Sequence, residues 1–74
     1  MAKLPCLTPQ NLAKALEKAG FELDRVKGSH HIYFNHETRR TAVIPFHRKD
    51  LKKGTLNDIL KEAGISREEL EDLL

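Results

Sequence analysis

The 74-residue chain has no tryptophan, one tyrosine, three phenylalanines, one cysteine and three prolines. Each scarcity excludes something. A single cysteine, Cys6, cannot build an internal disulfide framework, which fits a reducing compartment; the expected location is the cytoplasm. No apolar run approaches the roughly 20 residues needed to span a bilayer, so no membrane role is expected. Residues 1–6 lack the apolar stretch of a secretory signal. Without tryptophan or a metal staple, the core must come from Leu, Ile, Val, Ala and the three Phe. What is present is an ordinary globular mixture, 39% hydrophobic and 32% charged, which rules out collagen and a disordered tail. The length allows one small domain, residues 1–74, burying only about 60% of its unfolded surface.

The net charge of +2 hides an asymmetry. Residues 1–24 are neutral, residues 25–53 hold eight Lys/Arg against two acids, and residues 54–74 hold two Lys/Arg against six acids. All four histidines fall in the basic middle. A basic centre beside an acidic tail suits a surface that meets phosphate or an acidic partner.

The punctuation gives the elements. Thr8 caps a helix whose first position is Pro9, and Leu7 with Leu12 brackets the cap as a hydrophobic staple. Leu12, Ala15, Leu16 and Ala19 line one face, and Gly20 ends the helix. From Phe21 the period becomes that of a strand, Phe21-Glu22-Leu23-Asp24-Arg25. Lys27-Gly28-Ser29 signals a turn, and His30-His31-Ile32-Tyr33-Phe34 a second strand. A polar loop follows at residues 35–39. A third strand, Arg40-Thr41-Ala42-Val43-Ile44, should stop at Pro45, which cannot donate to a ladder. Leu56, Ile59, Leu60 and Ala63 mark a second amphipathic helix, with Thr55 and Asp58 resembling a capping box; its start could lie a residue or two earlier. Gly64 closes it. Ser66 and Glu69 form a full capping box for a short third helix, with Ile65 and Leu70 as its staple. Phe21, Leu23, Ile32, Val43 and Ile44 are expected in the core. The fold class is α+β: α-β-β-β-α order, a three-stranded antiparallel meander with helices on one face, and a short C-terminal helix. That is the order of double-stranded-RNA-binding domains.

The segment Gly28-Ser29-His30-His31-Ile32-Tyr33 carries the chemistry. Side chains alternate across a strand, so simple parity sends His30 to the core side with Ile32 and Phe34, and His31 outward with Tyr33. A bulge at Gly28-Ser29, or a late strand start, would break that rule for His30. Imidazole is the side chain suited to taking and giving a proton near neutrality. RNA brings its own nucleophile, the 2′-hydroxyl, and cations stabilise the developing phosphorane. One histidine in a basic setting is therefore enough to cleave RNA without metal. Other chemistries fit less well. The basic middle offers only Glu37 and Asp50 to a two-metal nuclease. His30, His36, His47 and Cys6 match no common zinc spacing. Cys6 lacks a Cys–His motif, Ser29-His30 has no third triad partner, and Gly54-Thr55 lacks the spacing of a phosphate loop. No metal or other cofactor is expected.

Across nearly its whole length the chain resembles the HicA toxins, small mRNA interferases with a double-stranded-RNA-binding-domain-like fold. The resemblance rests on Gly20-Phe21 after the first helix, Lys27-Gly28-Ser29-His30-His31-Ile32-Tyr33 at the hairpin, and Val43-Ile44-Pro45-Phe46-His47 at the third strand. It continues through Leu51-Lys52-Lys53-Gly54-Thr55-Leu56 and Ile59-Leu60-Lys61-Glu62-Ala63-Gly64-Ile65-Ser66. The loop at residues 35–39 is where the chain departs from the pattern. The resemblance implies that His30, the first histidine of the Gly-Ser-His motif, is catalytic. It also implies the toxin role in a type II toxin–antitoxin system and a HicB-like antitoxin partner that covers the active site.

The expected RNA-contacting set is Lys27, Ser29, His31, Tyr33, Arg39, Arg40, His47, Arg48, Lys49, Lys52 and Lys53. In it Tyr33 either stacks on a base or packs, and His47 helps orient the substrate. His36 is expected to be a solvated loop residue. The competing readings are a non-catalytic RNA-binding module on the same basic surface, and an interaction protein whose basic face serves only an acidic partner.

Overall fold

The computed structural model describes residues 4–46 and 49–74, so the expectations for His47 and Arg48 lie outside the described residues. The elements run α1 (Pro9–Lys18), β1 (Phe21–Lys27), β2 (His30–Asn35), β3 (Arg40–Pro45), α2 (Lys53–Ala63) and α3 (Arg67–Leu73). Thr8 caps α1, its hydroxyl accepting from the Asn11 N–H at 3.1 Å. Leu12, Ala15 and Leu16 are buried beneath the helix. Gly20, at φ +100°, turns the chain into β1, a conformation an L side chain rarely adopts.

The strands form an antiparallel sheet in the order β1-β2-β3. Gly28 and Ser29 alone connect β1 to β2. Only Gly28 has positive φ, +61°, which is the pattern of a type II′ hairpin turn whose twist suits the strands it joins. β1 is two residues longer than expected, and its register slips at Asp24. That bulge puts Phe21, Leu23 and Val26 on one face. Pro45 is the last residue of β3 rather than the residue that stops it, since β3 is an edge strand whose outer N–H groups need no partner.

α1 packs on β1 and β3, α2 on β3, and α3 on α1, so the helices cover one face and the other stays open. Cross-strand partners share a face. The covered face therefore carries Phe21, Tyr33, Ala42 and Ile44, all buried. The open face carries Arg25, Lys27, His30, Ile32, Phe34, Val43 and Pro45.

This reverses the expected faces. His30 does travel with Ile32 and Phe34, and His31 with Tyr33, but the first set faces out and the second in. Ile32 and Val43 are half-buried on the open side rather than in the core. Leu23 points toward the helical side but lies near the β1 edge, where it stays 48% exposed. Phe21 and Ile44 are core, as expected.

α2 begins earlier than Thr55. Its cap is Lys52, whose side chain makes no capping bond, and the Leu56 N–H already donates to the Lys52 carbonyl at 2.9 Å. Gly64 closes α2 in the left-handed region at φ +74°. The Ser66–Glu69 capping box of α3 is formed in both directions, at 3.0 and 3.2 Å. Among the described residues no helix is long and apolar enough to cross a membrane.

Candidate functional site

The head of β2 presents His30. The two-residue turn sets its position by pairing it with Lys27 on one side, and β3 sets Pro45 on the other. Direct neighbours of this kind stand about 5 Å apart at Cβ. His30 is exposed, and no hydrogen bond or ion pair engages it among the described residues. The turn is anchored from below: the Phe46 N–H donates to the Ser29 carbonyl at 2.7 Å. The His31 ring stacks on Phe46 with centroids 3.7 Å apart. His31 thus braces the hairpin from the helical side instead of facing RNA. Ser29 is exposed and contributes its carbonyl to the anchor.

Lys27 and Arg25 share the open face with His30, and two further lysines follow the end of β3. Lys27 is its cross-strand partner, and Arg25 lies opposite Ile32 on the same face. Beyond Pro45, a pocket of about 330 Å³ opens between the end of β3 and the start of α2, lined by Pro45, Lys49, Asp50, Leu51, Lys52 and Thr55. Because Pro45 pairs with His30, Lys49 and Lys52 border the histidine's end of the sheet. The acidic side chains of α3 belong to the helical layer, where α3 rests on α1.

Three expected RNA contacts lie elsewhere. Tyr33 packs against the helices, 4% exposed. Arg40 points to the helical side, where its Nε would sit 3.1 Å from a Cβ built on Gly64 at the end of α2. Lys53 lines a separate depression with Leu4, Gly54, Asn57 and Arg67. Arg39 is exposed at the far end of the open face, its guanidinium 5.8 Å from the Phe34 ring centroid. Sequence reasoning missed Arg25 and Phe34, both placed on the open face by the bulge and the strand parity together. His36 is the solvated loop residue expected, its side chain 70% exposed, and it meets Phe34 edge-on at 5.0 Å and Glu22 at 3.4 Å.

Burial on the covered face has a titration consequence. It pushes the Tyr33 phenol above its ordinary 10.0, and the Glu17 carboxylate adds to the shift. The folded state therefore holds this proton more tightly than the unfolded chain does. The associated stability is complete below pH 10.0 and is lost as pH rises through the folded-state value. Denaturant melts in alkaline buffers are expected to show stability falling more steeply in the wild type than in Tyr33→Phe. Parallel alkaline limbs would contradict the shift.

Among the described residues no group of three or more His, Cys, Asp or Glu is arranged to hold a metal ion. The remaining groove of note, between α1 and α3, is lined by Leu7, Asn11, Lys14, Ala15, Lys18, Leu73 and Leu74 and contains no imidazole. Fold and site together define a double-stranded-RNA-binding-domain-like α+β protein whose uncovered sheet displays a histidine among cations. The family model of the HicA toxins of bacterial toxin–antitoxin systems matches residues 10–65, and the chain belongs to that family. Its role is accordingly that of a toxin in such a pair. No curated protein sequence matches the chain significantly.

Proposed function

We propose that this toxin is an endoribonuclease that cleaves mRNA without a metal ion, with His30 as its general acid–base. The observation that carries this reading is the exposed imidazole at the head of β2, paired with Lys27 on one side and on the other with Pro45, which lines a pocket together with Lys49 and Lys52. His30 takes the proton of a ribose 2′-hydroxyl. The 2′-oxygen then forms a bond to phosphorus, and the bond from phosphorus to the 5′-oxygen breaks. The leaving 5′-oxygen is protonated by the imidazolium, which restores the neutral ring. The products are a 2′,3′-cyclic phosphate and a 5′-hydroxyl. Lys27, Lys49 and Lys52 hold the phosphate and offset the charge that builds on its oxygens. Arg25 and Arg39 extend the cationic track along the open face. His47 and Arg48, which follow β3 in the chain, retain their proposed roles in orienting and binding RNA.

The proposed partners are mRNA and a HicB-like antitoxin. A cationic working surface is suited to rapid capture by an acidic protein, because complementary charge speeds association.

The test is incubation of the purified protein with single-stranded RNA in EDTA. Strand scission supports the nuclease; binding without scission favours the RNA-binding module. Replacing the 2′-hydroxyl at the cleavage position by hydrogen should stop the reaction, since the nucleophile is then missing.

A further inference from the structure

The open face has a second end that the proposed reaction does not use. Phe34 lies on the same side of β2 as His30, four residues along the strand and roughly 13 Å away. Ile32 and Val43 form an apolar floor between them. The Phe34 ring is flanked by His36, edge-on at 5.0 Å, and by the Arg39 guanidinium, 5.8 Å from its centroid. Arg39 is the sole non-glycine among the described residues with positive φ, +63°. Glycine or asparagine would hold that backbone more cheaply. The strained position is instead occupied by a side chain that reaches the one open-face aromatic ring. Glu22, the carboxylate across from Phe34, also lies on the open face, with the His36 Nε2 3.4 Å away.

We propose that Phe34 is a base-stacking platform for single-stranded RNA, with Arg39 holding a phosphate beside the stacked base. This rests on the ribonuclease reading and adds the strandedness of its substrate: RNA crosses the open sheet unpaired, from the His30 end to the Phe34 end. An aromatic ring beside a guanidinium on an uncovered sheet suits a nucleobase attached to a phosphate, because every base offers a π-face. A duplex keeps its bases stacked inside and cannot use the ring.

The experiment measures binding of a labelled single-stranded RNA oligonucleotide and of an RNA duplex, by fluorescence anisotropy, to His30→Ala protein, which leaves the RNA intact. Adding Phe34→Leu, which keeps an apolar floor but removes the π-face, should weaken single-strand binding about tenfold or more, the scale of one lost base–aromatic stack. Duplex binding should not change, and Phe34→Tyr should restore the single-strand affinity. Arg39→Gly relieves the backbone strain, so its melting temperature should hold or rise. Its single-strand affinity should fall, and the salt dependence should lose about 0.7 in log–log slope, as expected for one phosphate contact. That combination separates binding from folding even if Phe34→Leu is unstable. Unchanged single-strand binding by Phe34→Leu, or equal losses for single strand and duplex, overturns the platform. If wild-type protein still cleaves RNA in that case, the nuclease reading stands alone. If wild-type protein neither binds nor cleaves single strands, both fall.

Discussion

Replacing His30 with alanine is expected to slow RNA cleavage by about 10²–10⁴-fold, the contribution typical of a positioned acid–base group, and to abolish growth arrest on induction. The fold should be indifferent to the change. The His30 side chain is exposed and makes no hydrogen bond or ion pair among the described residues, so the stability change should stay within about 0.5 kcal/mol. The neighbouring histidine supplies the contrast. His31→Ala removes a ring stacked on Phe46 and should destabilise by about 1 kcal/mol while sparing most of the activity. The two histidines are adjacent in sequence and opposite in face, so they should separate chemistry from stability. Cleavage rates and denaturant melts on the two variants measure this. Near-normal cleavage by a folded His30→Ala protein would remove the assignment.

A large stability loss is expected at Asn35. Asn35 is buried, 5% exposed, and its side chain bonds in two directions. The Nδ2 group donates to the Ala19 carbonyl at 3.3 Å. The Oδ1 atom accepts from the Glu37 and Thr38 N–H groups at 2.9 and 3.2 Å. One residue thus ties the exit of α1 to the turn between β2 and β3. Asn35→Ala leaves a carbonyl and two N–H groups without these partners and should cost about 2–4 kcal/mol. A domain of this size holds only roughly 4–11 kcal/mol in total, so the melting temperature should fall by about 10–20 °C. Asn35→Asp keeps the acceptor and loses the donor, and should fall between the two. A loss under about 1 kcal/mol for Asn35→Ala would show that water or neighbouring groups replace these bonds.

The helix starts at Thr8 and Ser66 were legible because capping is local: the hydroxyl and the N–H it receives lie three residues apart. The start of α2 was not, because Lys52 caps it without a side-chain bond and leaves no signal, while Thr55 nearby has the chemistry of a cap. Strand parity was legible; which face meets the helices was not. β2 offers apolar rings to both sides, with Phe34 on one and Tyr33 on the other. The choice is made by distant residues, Phe21, Ala42 and Ile44, that share the covered face with Tyr33. The bulge at Asp24 puts Val26 on the side of Phe21 and Leu23, yet Val26 stays 52% exposed there, so burial does not account for it. At the candidate site, the position of His30 at the head of β2 was legible from its turn, but its face was not. Arg25 and Phe34 needed the third dimension, as did the diversion of Arg40 to Gly64. The role of Asn35 was hidden because one of its partners lies 16 residues away.

The most direct test of the central claim is the chemistry of the fragment ends. If the 2′-oxygen is the attacking group and His30 moves its proton, as proposed, RNA cut by the purified toxin in EDTA should carry 5′-hydroxyl and 2′,3′-cyclic phosphate termini. Fragments ending in 5′-phosphate and 3′-hydroxyl, or loss of cleavage on chelation, would contradict it.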